Sequence, residues 1–296
     1  MSNPRIVRAT TASISIFALV SGIWATSAGA GSVDGATGVL TTTATSTTTT
    51  TPTSPFPTTT SPTTTPAPTT LAPTTTTTSP GPLAEGLLAR SISAANSEPA
   101  LTWTLTEEAD GQSVSRVGHA GRTDGTETLL AHLANQSWNV ALVLVGPRIY
   151  VLANSYPLEQ IVGLKPSVAK SESDTWFYVT SSATYLFDML SDGLTVQTAT
   201  GVVNLVGTPT ILRGQKVMGQ PVIGLRQVIP QGVITSTQTV YIRANGVPLP
   251  VEVQNSYAGV NESIIFGDWG QAPLAVAPNG AVPFEKSWLL EPLPNF

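Results

Sequence analysis

Two histidines, His119 and His132, make up the whole imidazole complement of this chain, and neither has a carboxylate beside it at the spacing of a metal site. No H-E-x-x-H zinc signature and no G-x-S-x-G nucleophile elbow occurs. The absence of cysteine removes thiolate ligands, disulfides and cysteine nucleophiles together. The adjacent acids Glu107-Glu108 stand beside an Asp110-Gly111 turn, where a solvated strand end explains them. Gly214-Gln215-Lys216 and Gly219-Gln220-Pro221 are loop glycines without the strand, loop and helix frame of a phosphate cradle. These residues predict a protein that is not an enzyme and holds no metal or cofactor. A serine triad assembled from distant residues is the remaining catalytic alternative.

The layout of the chain says more about where it works. Residues 1–30 read as an export signal, with Arg5 and Arg8 ahead of an apolar run from Ile14 to Ala25 and a small-residue cleavage site at Ala28-Gly29-Ala30. An uncleaved anchor is the alternative, although Ser13, Ser15, Ser21 and Gly22 dilute the run below the roughly 20 apolar residues of a spanning helix. Residues 31–82 form a Thr/Pro/Ser-rich stalk with no charge between Asp34 and Glu85, a composition that cannot build a core and favours extended backbone. At about 3.1 Å per residue its Thr41–Pro80 tract reaches on the order of 120 Å when fully extended. Residues 83–296 are left as the folded domain. The layout predicts a secreted or cell-wall-associated protein, or one tethered by its N-terminus, with no membrane span in the mature chain. Loss of the leader removes two arginines and moves the formal charge from −5 to −7, which argues against a nucleic-acid partner.

Within the domain the hydrophobic period is two, with helical spacing in only two places. Pro82 to Asn96 carries Leu83, Leu87 and Leu88 as a short opening helix, and Ser182 to Leu190 is an internal helix with Tyr185, Leu186, Met189 and Leu190 on its apolar face. Strands are predicted around 101–105, 114–119, 126–133, 138–145, 148–153 and 174–179. They resume at Val202–Val206, 210–212, 222–229, 239–243, 249–254 and 262–266, with Asn245-Gly246 as a hairpin turn. Trp138 to Val145 is apolar on both faces and belongs in mid-sheet. The fold class is mainly β with a few helices (α+β), and an antiparallel sheet of this size must curl or close, giving a half-barrel around one or two helices.

The run DTWFYV, then SATYLFDMLSDG, then GTPTILRGQKVMGQPVIGLR, then TVYIRANGVPLPVEV and IIFGDWGQAPLAVAP resembles the actinobacterial envelope lipoproteins of the LppX and LprG type. These belong to the LolA-like half-barrel superfamily. The likeness spans most of residues 83 to 284, and Gly214 to Arg226, Tyr241 to Val251 and Phe266 to Pro278 are its most specific pieces. The lipidated cysteine of that family is missing, with the stalk in its place. The resemblance implies an antiparallel half-barrel that holds acyl chains between sheet and helix, and a carrier role in the cell envelope for a lipid or other amphiphile. An apolar wall for such a ligand would come from Trp103, Leu105, Trp138, Val140, Leu142, Leu144, Tyr150 and Leu152 on the sheet and from Tyr185, Leu186, Met189 and Leu190 on the helix. Alternatively these residues fill a closed core, and the chain is an envelope sensor or interaction module that contacts a protein partner, for instance through an exposed strand edge.

Overall fold

A computed structural model describes residues 81–109, 112–133, 136–231, 234–271 and 274–290. The leader and the stalk up to residue 80 lie outside the described residues, and Gly81 and Pro82, expected at the end of the stalk, begin the first helix. Helix α1 (Gly81–Ser97) opens the fold and turns Ala84, Leu88, Ser91 and Ala95 to the interior. The buried stripe is thus mostly small, which lets the helix approach the sheet closely, while the expected Leu83 is exposed.

Four long strands follow as a meander: β1 (Ala100–Ala109), β2 (Gln112–Gly121), β3 (Asp124–Leu133) and β4 (Gln136–Val145). Strand β5 (Arg148–Ala153) closes a hairpin on β4 through Gly146-Pro147. Three short helices, α2 (Ser155–Gln160), α3 (Pro166–Ser171) and α4 (Thr184–Leu190), then surround β6 (Phe177–Thr180), and a fourth, α5 (Val196–Ala199), precedes the second meander. That meander runs β7 (Thr210–Val217), β8 (Gln220–Gln231), β9 (Ile234–Arg243), β10 (Pro250–Tyr257) and β11 (Val260–Gly267). A two-residue β12 (Val282–Pro283) and a 3-10 turn (Lys286–Trp288) end the described chain.

All twelve strands form one open sheet in the order β12-β6-β5-β4-β3-β2-β1-β11-β10-β9-β8-β7, antiparallel except where β12 joins β6. The two meanders meet where β1 pairs with β11, Leu105 opposite Ile264. The sheet curls around the helices as an α+β half-barrel. Its inner face follows from the register: Leu225, Val240, Val253, Ile264, Leu105, Arg116, Leu129, Val140 and Ala153 are successive neighbours in a single row across nine strands.

Several expectations change. Val202–Val206 is not a strand; Gln227 and Gln238 bond its backbone with their side chains, through Val206 and Val202 respectively. That tie holds Val203 and Leu205 inward, so their alternation reflects burial against the sheet rather than membership of it. The β9–β10 connection is longer than a two-residue turn, running from Ala244 to Leu249, and a bulge between Pro250 and Glu252 shifts the register after it. Helices α2, α3 and α5 have no counterpart in the periodicity because each is a single turn or little more; α5 is set by the Thr195–Thr198 capping box. The last described residues pack on the domain: Trp288 lies edge-on to Phe177 at 5.8 Å and Leu289 is buried beside Leu164.

Candidate functional site

The concave interior contains two packed clusters rather than one. The first joins β3 to β6 with α2, α3 and α4 and includes Trp138, Val140, Leu142, Leu144, Leu186 and Leu190, with Met189 against its edge. The second lies between α1, α5 and strands β8 to β11 and β1, and contains Trp103 and Leu105. Three of the predicted wall residues do not join them. Tyr150 and Leu152 pair across strands with Val143 and Ala141, whereas the inward Leu142 and Leu144 pair with Val151 and Ile149. Tyr150 and Leu152 therefore stand on the outer face, where the Tyr150 ring meets Tyr178 at 5.8 Å. Strand β5 is buried on both sides, so its phase cannot be read from apolar alternation. Tyr185 is 47% exposed on the outer turn of α4.

Between the clusters runs a polar seam absent from the sequence expectations. Arg116 on β2 and Glu127 on β3 are both buried and form a two-pronged ion pair, Nε to Oε1 at 2.6 Å and Nη2 to Oε2 at 3.0 Å. The Arg116 guanidinium also lies 5.3 Å from the centre of the Trp103 ring. Trp103 donates its indole N–H to the Gly193 carbonyl at 2.9 Å, tying the loop after α4 to the middle of the sheet. The fit needs two glycines: a Cβ on Gly118 would lie 2.3 Å from the indole, and one on Gly193 2.6 Å from it. Asp192, beside that loop glycine, has its carboxyl pushed up to about 6 by burial and by Glu127, against the pull of Arg116. Burial also raises Glu262, opposed by a hydrogen bond from Asn255 and by Arg116. Glu107 sits directly across from Glu262 and is buried, which corrects its assignment to a solvated edge; Glu108 alone is exposed. The signal was available in the phase of the strands, since Glu107 shares the parity of Trp103 and Leu105, and Arg116 that of Val114.

The outer face carries a hollow of about 360 Å³. One cross-strand row supplies Arg226, Thr239, Gln254, Ser263 and Thr106, the next but one supplies Thr237, Ser256, Asn261 and Glu108, and Asn255 and Glu262 border the hollow from the row between. Glu252, in the neighbouring row, is buried and its Oε1 accepts from Gln254 Nε2 at 2.9 Å and Ser263 Oγ at 2.7 Å. Tyr241 donates to Gln254 Oε1 at 3.3 Å, and burial together with Glu252 raises the Tyr241 phenol above its ordinary range. A second hollow of about 520 Å³ borders β7 and β8, with Val206, Leu212 and Val228 among its lining.

Elsewhere the chemistry is sparse. His132 is exposed and within 3.3 Å of Ser137 Oγ, and His119 lies on β2, away from it. The S-x-x-K spacing of acyl-transfer enzymes occurs once, at Ser167 and Lys170, but both are exposed on the short α3. Among the described residues no group of three His, Asp or Glu could hold a metal ion, and no helix is long and apolar enough to cross a membrane.

No family model matches the sequence, and no curated protein is similar to it. Solved structures similar to this chain include mycobacterial lipoproteins. LprF from Mycobacterium bovis is 16% identical with a TM-score of 0.44, over 69% of this chain and 99% of LprF. Lipoprotein LppX from Mycobacterium tuberculosis is 12% identical with a TM-score of 0.43, over 66% of this chain and 98% of LppX. A Pseudomonas aeruginosa MucA/MucB complex gives 16% and 0.33, over 64% of this chain and 58% of that one. At these identities the likeness concerns the fold and carries no ligand or partner across.

Proposed function

We propose that this chain is a non-enzymatic binding module, exported by its leader and held out on its stalk, that meets a protein partner at the free edge of its sheet. The observation that supports this best is the filled interior. Trp138, Val140, Leu142 and Leu144 share one packed cluster with Leu158, Leu186 and Leu190, and the second cluster joins α1 and α5 to the sheet. The seam of Arg116, Glu127 and Asp192 stands between the two. A wall whose side chains already meet their counterparts has no room for a resident acyl chain. The surface supplies what the interior lacks: among the described residues β7 is the last strand of the open sheet, pairs only with β8, and is flanked by the exposed Val206, Val228 and Met218. An extended partner segment adding to that edge would gain main-chain hydrogen bonds and apolar contact together.

A second reading, a carrier for lipid or another amphiphile, has its own observation. The Trp138 indole N–H is buried in the first cluster without a hydrogen-bond partner among the described residues, and would suit the carbonyl of a lipid headgroup. Helices α2, α3 and α4 above it are six or seven residues long and have no side-chain N-cap, so they are the elements that would lift. Native mass spectrometry of the protein purified from its producing cells, followed by organic extraction, separates the two. A bare protein mass, unchanged after incubation with phosphatidylglycerol micelles, is expected. A bound amphiphile in fixed stoichiometry would overturn the closed-core reading in favour of the carrier.

A further inference from the structure

We propose that the hollow on the outer face of β8 to β11 and β1 is a binding site for a neutral carbohydrate. This goes beyond the reading above and is independent of it, because the hollow lies on the opposite side of the sheet from the packed interior. Its volume of about 360 Å³ falls in the range of small-molecule sites. Its lining excludes most other ligands. No aliphatic or aromatic side chain borders it, which removes an apolar ligand. Arg226 is its one cation, against two acids in the lining, Glu108 and Glu262, so an anion would gain one ion pair and meet like charge. What remains are hydroxyls and carboxamides, each able to donate and accept, and that is the pattern that vicinal sugar hydroxyls satisfy.

Threonine and serine on an exposed strand face are ordinary, but a carboxylate sunk beneath them is not. Glu252 gives up most of its solvent on the side of the sheet away from the core, a cost that needs hydrogen bonds in return. It receives them from Gln254 and Ser263, both of which line the hollow. Tyr241 fixes the amide of Gln254 from its oxygen side, and Thr239 is buried with Arg226 Nε 3.4 Å from its hydroxyl. Gln254, Ser263 and Thr239 are thus held in place before any ligand arrives, which lowers the entropy lost on binding. The bulge between Pro250 and Glu252 adds local twist to β10 ahead of Gln254, Asn255 and Ser256, which line the hollow.

The test is an amide-resolved NMR titration of the whole chain with maltose, cellobiose and N,N′-diacetylchitobiose in parallel, and with inorganic phosphate and phosphatidylglycerol micelles as further arms. At least one disaccharide is expected to shift the amides of Thr106, Thr239, Gln254 and Ser263, with a Kd on the order of 1 mM because no apolar platform contributes. Gln254→Ala should weaken binding about tenfold, and so should Thr237→Val, a half-exposed position at which folding is not at risk. Asp192→Asn, in the interior, should leave it unchanged. Shifts at the hollow from phosphate or micelles but from no disaccharide would overturn the proposal, as would no shift there from any of the five. Closure of the interior is read separately by mass spectrometry, so failure of either idea leaves the other standing.

Discussion

Replacing Asp192 with asparagine should make this protein more stable at neutral pH, although it removes a charge next to an arginine. The Asp192 carboxyl is raised from 3.8 to about 6, with burial as the largest cause, then attraction to Arg116 in the opposite sense and repulsion from Glu127. A folded-state pKa above the unfolded one means that the fold prefers the neutral acid. The associated stability is fully present below about pH 3.8 and is lost as the pH rises through about 6. A gap of about two pKa units corresponds to about 3 kcal/mol as an upper bound. Asp192 keeps part of its solvent, so a gain of about 1–2 kcal/mol for Asp192→Asn at pH 7.5 is the expected size. For a folded unit of roughly 200 residues that is a rise in Tm of about 2–8 °C. The amide oxygen can still accept from the Gly193 backbone, so the loop geometry should survive. Urea unfolding of both proteins at pH 7.5 and pH 4 gives the answer: the gain should be present at the first pH and nearly absent at the second. A less stable variant at pH 7.5, or a gain independent of pH, would refute the account of the seam. So would a carbon-13 titration of the Asp192 carboxyl with its midpoint near 4.

The other expectations concern the same seam and its surroundings. Gly118→Ala puts a methyl against the Trp103 indole and should cost about 2 kcal/mol or more, whereas Gly86→Ala, in open space on α1, should stabilise by about 0.5–1 kcal/mol; thermal melts of the pair check both. Arg116→Met strands Glu127 as a buried, unmatched charge and should cost about 3–5 kcal/mol in chemical unfolding, most of it recovered in the Arg116→Met/Glu127→Leu double variant. Trp288→Ala removes the edge contact on Phe177 and Phe284 and should cost about 1–3 kcal/mol, with faster amide exchange at Val282 and Phe284, whose N–H groups bond Trp176 and Tyr178.

The strands were legible wherever one face is buried and the other solvated. Leu101, Trp103 and Leu105 alternate with threonines, and β1 runs through them as expected; Arg148–Ala153 falls on its predicted bounds. Alternation stopped short where burial has another cause. Val202–Val206 alternates because Val203 and Leu205 dip into the second cluster, yet its backbone bonds reach glutamine side chains instead of a neighbouring strand. The short helices were out of reach because a turn or two gives no period to detect. The candidate wall was half legible for the same reason as the strands: β4 gave its inner side correctly, while in β5 every residue after Arg148 is buried and the phase of Tyr150 and Leu152 could be settled only by their partners. The seam was the least visible feature. Arg116, Glu127 and Asp192 are ordinary charged residues in sequence, and they become a unit only when the register places β1, β2 and β3 beneath the loop after α4.

That seam also sets the terms on which the interior could ever open. A ligand lying along the whole concave face would have to cross Arg116 and Glu127, and separating a buried ion pair without replacing its bonds is costly. The indole of Trp103 is pinned at the same point by Gly193 and enclosed by Gly118, so the loop after α4 cannot lift without breaking a buried hydrogen bond. Any opening is therefore confined to one side. On the side of the second cluster, α1 contacts α5, β7 and β10 and closes over small residues along several turns. On the side of the first, the cover is three helices of six or seven residues held by Leu158, Ala169, Leu186 and Leu190. The first cluster is the weaker cover by this comparison, and it is also where the unpartnered Trp138 indole lies. If an amphiphile is ever found in this protein, it should occupy that half alone, by displacing the short helices beside Trp138, and Trp103 should remain bonded to Gly193 throughout.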